Sequence, residues 1–242
     1  MPHRQSAPSL LGYGLYSVRR AAEIVRAHPA ALRRWADGYR YRKRSGLRVD
    51  MPPLIIREVP SLHEEHLVTF KDLLELLFIQ HFVHAGVSTQ VVRSAARAAR
   101  ERLGVSHPFA SQSFCTDGRA IFEDLHLHPD PDLGVTGGRL VREIRTGQGV
   151  IVGIMERYLR DHIVLDPGRC RYAPPEGMGR VILDPQRRFG RPCVAGTGLE
   201  TAVLYQCAEA WGGAADVASW YEIPESTVHV AVAYESAIRN AA

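Results

Sequence analysis

Apolar positions in the first fifty residues recur at helical intervals twice, with a break between them. Val18, Ala21, Ala22 and Val25 predict a short amphipathic helix, and Ser17 precedes it as a cap. Ala27-His28-Pro29 interrupts the pattern, because proline disfavours helical geometry in the residue before it yet fits the first turn of the next helix. A second helix over Pro29–Asp37 follows, with Leu32, Trp35 and Ala36 inward, Arg33 and Arg34 outward, and Gly38 as the stop. Tyr39 to Arg44, with Gly46 as a turn residue, then reads as a short strand or wing. Two helices, a tight turn and a basic wing make a winged helix-turn-helix.

The next stretch, Val49 to Pro60, holds a Pro-Pro pair and the apolar run Leu54-Ile55-Ile56, which predicts a connector with a short strand. The strongest helical signal comes after it. Thr69 can cap a helix whose Phe70, Leu73, Leu74, Leu77, Phe78 and Val83 form a broad stripe, ending near Ala85-Gly86. Ser88 caps another, with Val91, Val92, Ala95, Ala96, Ala99 and Leu103 on one side and Gly104 at its close. From Pro108 the period changes to alternation through Cys115, a strand, and Asp117-Gly118 predicts a hairpin. Ala120–Leu127 reads as a partner strand or a short helix, residues 128–140 as an acidic Gly/Pro-rich loop, and 148–159 as either strand or helix.

Two echoes, Ile163-Val164-Leu165-Asp166-Pro167 and Val181-Ile182-Leu183-Asp184-Pro185, are short strands ended by Asp-Pro turns. The arginine-bearing segment between them reads as an exposed arm or strand connector. Three helices close the chain: one led by Thr201 with Val203, Leu204, Cys207 and Ala208 inward, one over Ala214–Tyr221, and one from Glu225 to about Arg239. The last exposes Glu225, Ser226, His229, Glu235 and Ser236 in this reading, a poor surface for reading DNA. The fold class is thus mainly α with small β elements: an N-terminal winged helix-turn-helix, central helices and short strands, and a C-terminal three-helix, helix-turn-helix-like unit. Boundaries are expected at 1–107, 108–174 and 175–242.

Charge sharpens this picture. The chain has 242 residues and net charge +4, but residues 1–57 carry twelve basic and three acidic side chains, leaving the remainder five negative. Nucleic-acid affinity therefore belongs to the front of the molecule. The apolar runs are far too short to cross a bilayer and no secretory h-region follows the N-terminus, so a cytoplasmic protein is expected. Cys115, Cys170, Cys193 and Cys207 make no CxxC pair and read as buried thiols. His63 with His66, His81 with His84, and His126 with His128 have pair spacing, but no third ligand completes a metal set. With no GxSxG elbow, P-loop or dinucleotide fingerprint, neither an enzyme nor a cofactor is expected.

Two stretches resemble known families. Val181 to Pro185, then Gly190-Arg191-Pro192 and Gly196-Thr197, with Ala218, Tyr221 and the Ala231–Tyr234 stretch, are similar to the domain-of-unknown-function family numbered 433; Gly198 stands where that family has arginine. Tyr16 to Ala22 with Leu32-Arg33-Arg34-Trp35 resembles the first helices of MerR-type regulators. Proteins combining the two resemble VapB-type antitoxins, mycobacterial ones included. The resemblance implies a type II antitoxin that binds and silences a PIN-like ribonuclease toxin and represses its own operon. The alternatives are a MerR-like regulator answering a small molecule, and a protein-interaction module that binds no DNA.

Under the antitoxin reading, Arg33 and Arg34 are the candidate base readers, Arg19, Arg40, Arg42, Lys43 and Arg44 contact DNA beside them, and Tyr39 or Tyr41 braces the wing. Operator double-stranded DNA would be bound by a homodimer or by a higher heterocomplex with the toxin, because one two-helix module has a small footprint. Arg169, Arg171, Arg187, Arg188 and Arg191 are the candidate toxin contacts, since arginine pairs bidentately with the clustered carboxylates of such a nuclease.

Overall fold

The computed structural model describes residues 14–42, 44, 46–59, 66–111, 161–166 and 169–240. Lys43, His63, Cys115, the Asp117-Gly118 hairpin, His126, His128 and the segments expected at 120–127, 128–140 and 148–159 lie outside them. The fold is mixed, with an N-terminal helical region and mostly helical content downstream.

Two strand-to-helix units set the front of the molecule. β1 (Leu15–Ser17) runs directly into α1 (Val18–Val25), and β4 (Leu67–Thr69) into α3 (Phe70–His84). The strands pair antiparallel, Tyr16 opposite Val68, so the two helices start side by side. Each helix opens on a side-chain cap: Ser17 Oγ accepts from the Arg20 amide, and Thr69 with Asp72 forms a reciprocal capping box. α2 (Pro29–Asp37) and α4 (Thr89–Leu103) complete the helical layer. The boundaries follow the pattern of apolar positions because each end carries its own chemical stop, as at Gly104, which takes the left-handed conformation.

β2 (Tyr39–Arg42) and β3 (Arg48–Met51) form the wing, an antiparallel hairpin. The short strand expected at Leu54–Ile56 is not there; the strand precedes the Pro-Pro pair. Leu54 and Ile55 are buried in a bend, where both amides donate to the Trp35 carbonyl. Leu54 and Ile55 thus plug the core over α2, while Ile56 is exposed. α4 holds this exit segment through Arg93, which donates to the carbonyls of Pro52 and Pro53 at 2.6 and 3.0 Å, and Arg100, which donates to that of Leu54.

The strand expected from Pro108 is also corrected over the described part: Phe109 and Ala110 lie in a turn. Their amides donate to Glu75 Oε1, at 2.7 and 3.4 Å, a carboxylate fully buried in α3. Satisfying that acceptor wins over the alternation of the side chains. Beside it His107 Nε2 lies 2.7 Å from Asp72, both buried.

β5 (Ile163–Asp166) and β6 (Arg169–Tyr172) pair as a hairpin, so the segment after the first Asp-Pro is a strand rather than an exposed arm, and Tyr172 is buried. β7 (Val181–Ile182) and β8 (Cys193–Val194) pair likewise. They lead to α5 (Thr201–Trp211), α6 (Ala214–Tyr221) and α7 (Glu225–Arg239). Val203 is exposed rather than inward, while Leu204 is fully buried.

Two cores result. One is local to the last three helices, around Leu204, Val217, Val228 and Ala231. The other runs from α1–α4 through Tyr172, Val181 and Leu183 to Tyr234 and Ile238 of α7. Glu235, expected at the surface, is completely buried at this junction. It lies on the apolar stripe between Ala231 and Ile238, and its polarity is matched by partners from elsewhere in the chain. Arg20 of α1 donates to it bidentately at 2.8 and 2.5 Å, Thr201 Oγ1 donates at 2.5 Å, and Arg239 lies at 3.4 Å. Burial alone would lower the Arg20 pKa, but the hydrogen bonds and charge of Glu235 raise it above its ordinary value. The Tyr16 hydroxyl, also buried, donates to the Gly190 carbonyl at 2.5 Å. Gly190 has φ +74°, and a side chain there would run into that hydroxyl.

Candidate nucleic-acid interface

α1 and α2 meet through a left-handed Arg26, whose amide closes α1 on Ala22 and Glu23. His28 then caps α2: its Nδ1 accepts from the Ala30 amide at 3.2 Å. Histidine is not a usual cap, and only its place before Pro29 hinted at the role. Leu32, Trp35 and Ala36 seat α2 on the core. His28, Ala30, Arg33 and Arg34 are left exposed.

The wing continues this surface. All four residues of β2 are exposed. The Arg34 guanidinium lies 5.7 Å from the Tyr39 ring centre, and Tyr39 is 6.0 Å from Tyr41, so a cation–π contact and a ring pair tie the wing to α2. Arg34 is held against Tyr39 in this way, and Arg33 is the freer of the two outward arginines. A shallow depression of about 570 Å³ lies at the wing root, lined in part by Gly38, Tyr39, Arg40, Asp50 and Pro52.

Charge on this face is one-sided. Asp37, the acid inside the basic stretch, is engaged by Arg57 at 2.9 Å and lies 3.4 Å from His66. Arg40 pairs with Asp50 across the hairpin at 2.8 Å, both well exposed, and Arg19 lies 3.5 Å from Glu23. Exposed pairs of this kind contribute little to stability and exchange readily for other partners. Among the described residues Arg33, Arg42, Arg44 and Arg48 have no carboxylate partner. Arg42 and Arg48 stand directly opposite each other in the hairpin register. Like charges so placed repel, and a polyanion laid along the wing would relieve them. Arg48 was not singled out as a contact from the sequence, because its pairing with Arg42 depends on a register that no short motif encodes.

The rear arginines are scattered by comparison. Arg191 pairs with Glu200 at 3.1 Å, Arg187 sits 4.0 Å from Asp184, and Arg188 is exposed in a left-handed turn beside Phe189. Arg171 is half-buried in β6; Arg169 occupies the same strand, and its side chain lies outside the described residues. Among the described residues no group of three or more His, Cys, Asp or Glu is placed to hold a metal ion, and no helix is long and apolar enough to cross a membrane.

An exposed helix with outward arginines, a turn and a basic wing, all seated on a buried helical layer, define a helix-turn-helix protein. In keeping with this, residues 14–96 match the family described as "Putative DNA-binding HTH domain". The chain is 31% identical over 194 residues to "Putative antitoxin VapB45" of Mycobacterium tuberculosis, covering 78% of this chain and 80% of that protein. It belongs to that VapB antitoxin family. The X-ray crystal structure of Rv2018 from Mycobacterium tuberculosis has the same fold, with a TM-score of 0.63 at 22% identity over 90% of this chain and 96% of that one.

Proposed function

We propose that this chain is the antitoxin of a type II toxin–antitoxin module, acting in the cytoplasm, that binds operator DNA as a homodimer, represses its own operon and neutralises a PIN-like ribonuclease. The MerR-type likeness of the front and the family-433 likeness of the rear are part of the same reading, with residues 1–107 serving DNA, 108–174 linking and 175–242 holding the partner. The observation that carries the DNA half is the row of arginines that have no carboxylate partner among the described residues, Arg33 on α2 and Arg42, Arg44 and Arg48 on the wing, on a helix-turn-helix. Arg33 and Arg34 enter the major groove; Arg19, Arg40, Arg42, Lys43 and Arg44 take phosphates, with Tyr39 as the brace. Membership of the VapB family supports the toxin half, in which Arg169, Arg171, Arg187, Arg188 and Arg191 supply the guanidinium that occupies the nuclease's carboxylate cluster.

The test is a shift assay of the full chain on its own promoter duplex over a salt series. Each lost phosphate contact reduces the slope of log K against log salt by about 0.9. Arg42→Ala with Arg44→Ala should flatten it by nearly two such steps, and Arg33→Ala should reduce preference for the promoter over unrelated duplex. Binding that is absent even at low salt would end the reading.

A further inference from the structure

We propose that the edge formed by Trp211 and Trp220, with Asp216 beside it, is the docking face for a cationic surface of a protein partner. The proposal rests on the toxin-binding reading above and gives that partner a place to dock. The two indoles meet edge to face, ring centres 5.8 Å apart at 69°. Trp220 is 74% exposed and Trp211 43%. Single exposed apolar side chains need no explanation, but two contiguous indoles in water do. The local core of these helices is already filled by Leu204, Val217, Val228 and Ala231. Neither tryptophan is needed to close it.

Charge identifies the occupant. Between Arg191 and Arg239 the chain has six carboxylates and neither lysine nor arginine. Glu235 is consumed by Arg20, Glu200 by Arg191, and Glu225 lies 3.2 Å from His229. Glu209, Asp216 and Glu222 remain exposed and, among the described residues, without an ion pair. Asp216 lies one helical turn before Trp220, on the same face of α6. An electron-rich indole beside carboxylates attracts a guanidinium or ammonium, through its ring face and through charge. The same charge repels nucleic acid, and it disfavours two copies meeting face to face through this edge.

The full chain is titrated with the purified nuclease encoded beside it. The sequence holds three tryptophans, and Trp35 is in the core at 8% exposure, so solvent-sensitive emission reports on this edge. Partner binding should shift that emission to the blue and shield it from acrylamide. Trp220→Ala should weaken the complex by roughly 30-fold, as an interface anchor does, with Trp220→Phe intermediate. Asp216→Lys should weaken it more at low salt than at high salt. Unchanged promoter binding by each variant checks that the chain still folds.

Equal affinity in a Trp211→Ala, Trp220→Ala double variant, with unmoved emission in the wild type, would remove this face and leave the antitoxin reading intact. A wild-type chain that binds no nuclease would remove both. Concentration-dependent shielding in the chain alone, lost with Trp220→Ala, would assign the edge to a second copy instead.

Discussion

Glu75 and His81 show how much individual buried groups decide. Burial raises the Glu75 carboxyl from 4.5 to about 7, against the opposing charges of His107 and Arg100. Burial lowers His81 from 6.5 to about 4, with His162, His84 and Arg26 adding to the effect. Between pH 4.5 and 7 the folded chain holds a proton on Glu75 that the unfolded chain has released, so this residue's contribution is intact below pH 4.5 and is lost as pH rises through 7. His81 acts in the opposite sense: its contribution is present above pH 6.5 and lost as pH falls through 4. The two offset each other over their shared range. Glu75→Gln keeps an acceptor for the Phe109 and Ala110 amides, and should be more stable than the wild type above pH 7 by up to about 3 kcal/mol, with the difference vanishing near pH 4.5. Urea melts at stepped pH measure this; a difference independent of pH would place the Glu75 titration elsewhere.

Glu235 is the other decisive residue. Removing one partner of a buried ion pair costs about 3–5 kcal/mol, because the remaining charge stays desolvated. Arg20→Ala and Glu235→Ala should each lose stability on that scale, and the double variant should lose clearly less than the sum of the two. Additive losses in a double-mutant cycle would deny the pairing. No residue count marks Arg20 off from Arg19: both open α1, yet one turns to Glu235 and the other to water. Helical phase relative to a distant α7 makes that distinction.

Among the elements, the wing has the least packing of its own. It is a two-stranded hairpin with β2 exposed along its whole length, and such a ribbon is marginal by itself. Its placement relies on Gly38, with φ +75°, where a Cβ would collide with the Met51 carbonyl oxygen. Gly38→Ala should therefore displace the wing from α2, lowering promoter affinity at least tenfold while leaving helical content by circular dichroism unchanged. Wild-type affinity in that variant would show that the wing's placement contributes nothing. Most helices were legible in the chain because their caps and stops are local: Ser17, Pro29, Gly38, Thr69, Ser88 and Gly104 each act within a turn of where they stand. The short strands were less so. Leu54–Ile56 reads as a strand from its apolar run and the stretch from Pro108 to Cys115 from its alternation, but Leu54–Ile55 and Phe109–Ala110 are drawn into a bend and a turn by acceptors distant in sequence, the Trp35 carbonyl and the Glu75 carboxylate.

For the whole molecule, one core joins the helix-turn-helix to the last helix, so front and rear should not unfold independently. Substituting Ile238→Ala, at the far end of the chain, should cost about 2–5 kcal/mol and lower the stability reported from Trp35 as well as that of the rear. A rear-only loss, with Trp35 emission melting as in the wild type, would show that the two ends are uncoupled.

The order of the helices, the basic front and the acidic rear are properties of the chain alone, because helix periodicity, capping and net charge are set by neighbours a few residues apart. The tertiary structure decided which polar side chains are buried, where Arg42 faces Arg48, and that Trp211 and Trp220 meet in water. Those outcomes depend on contacts between segments far apart in sequence, and such contacts carry no local signature.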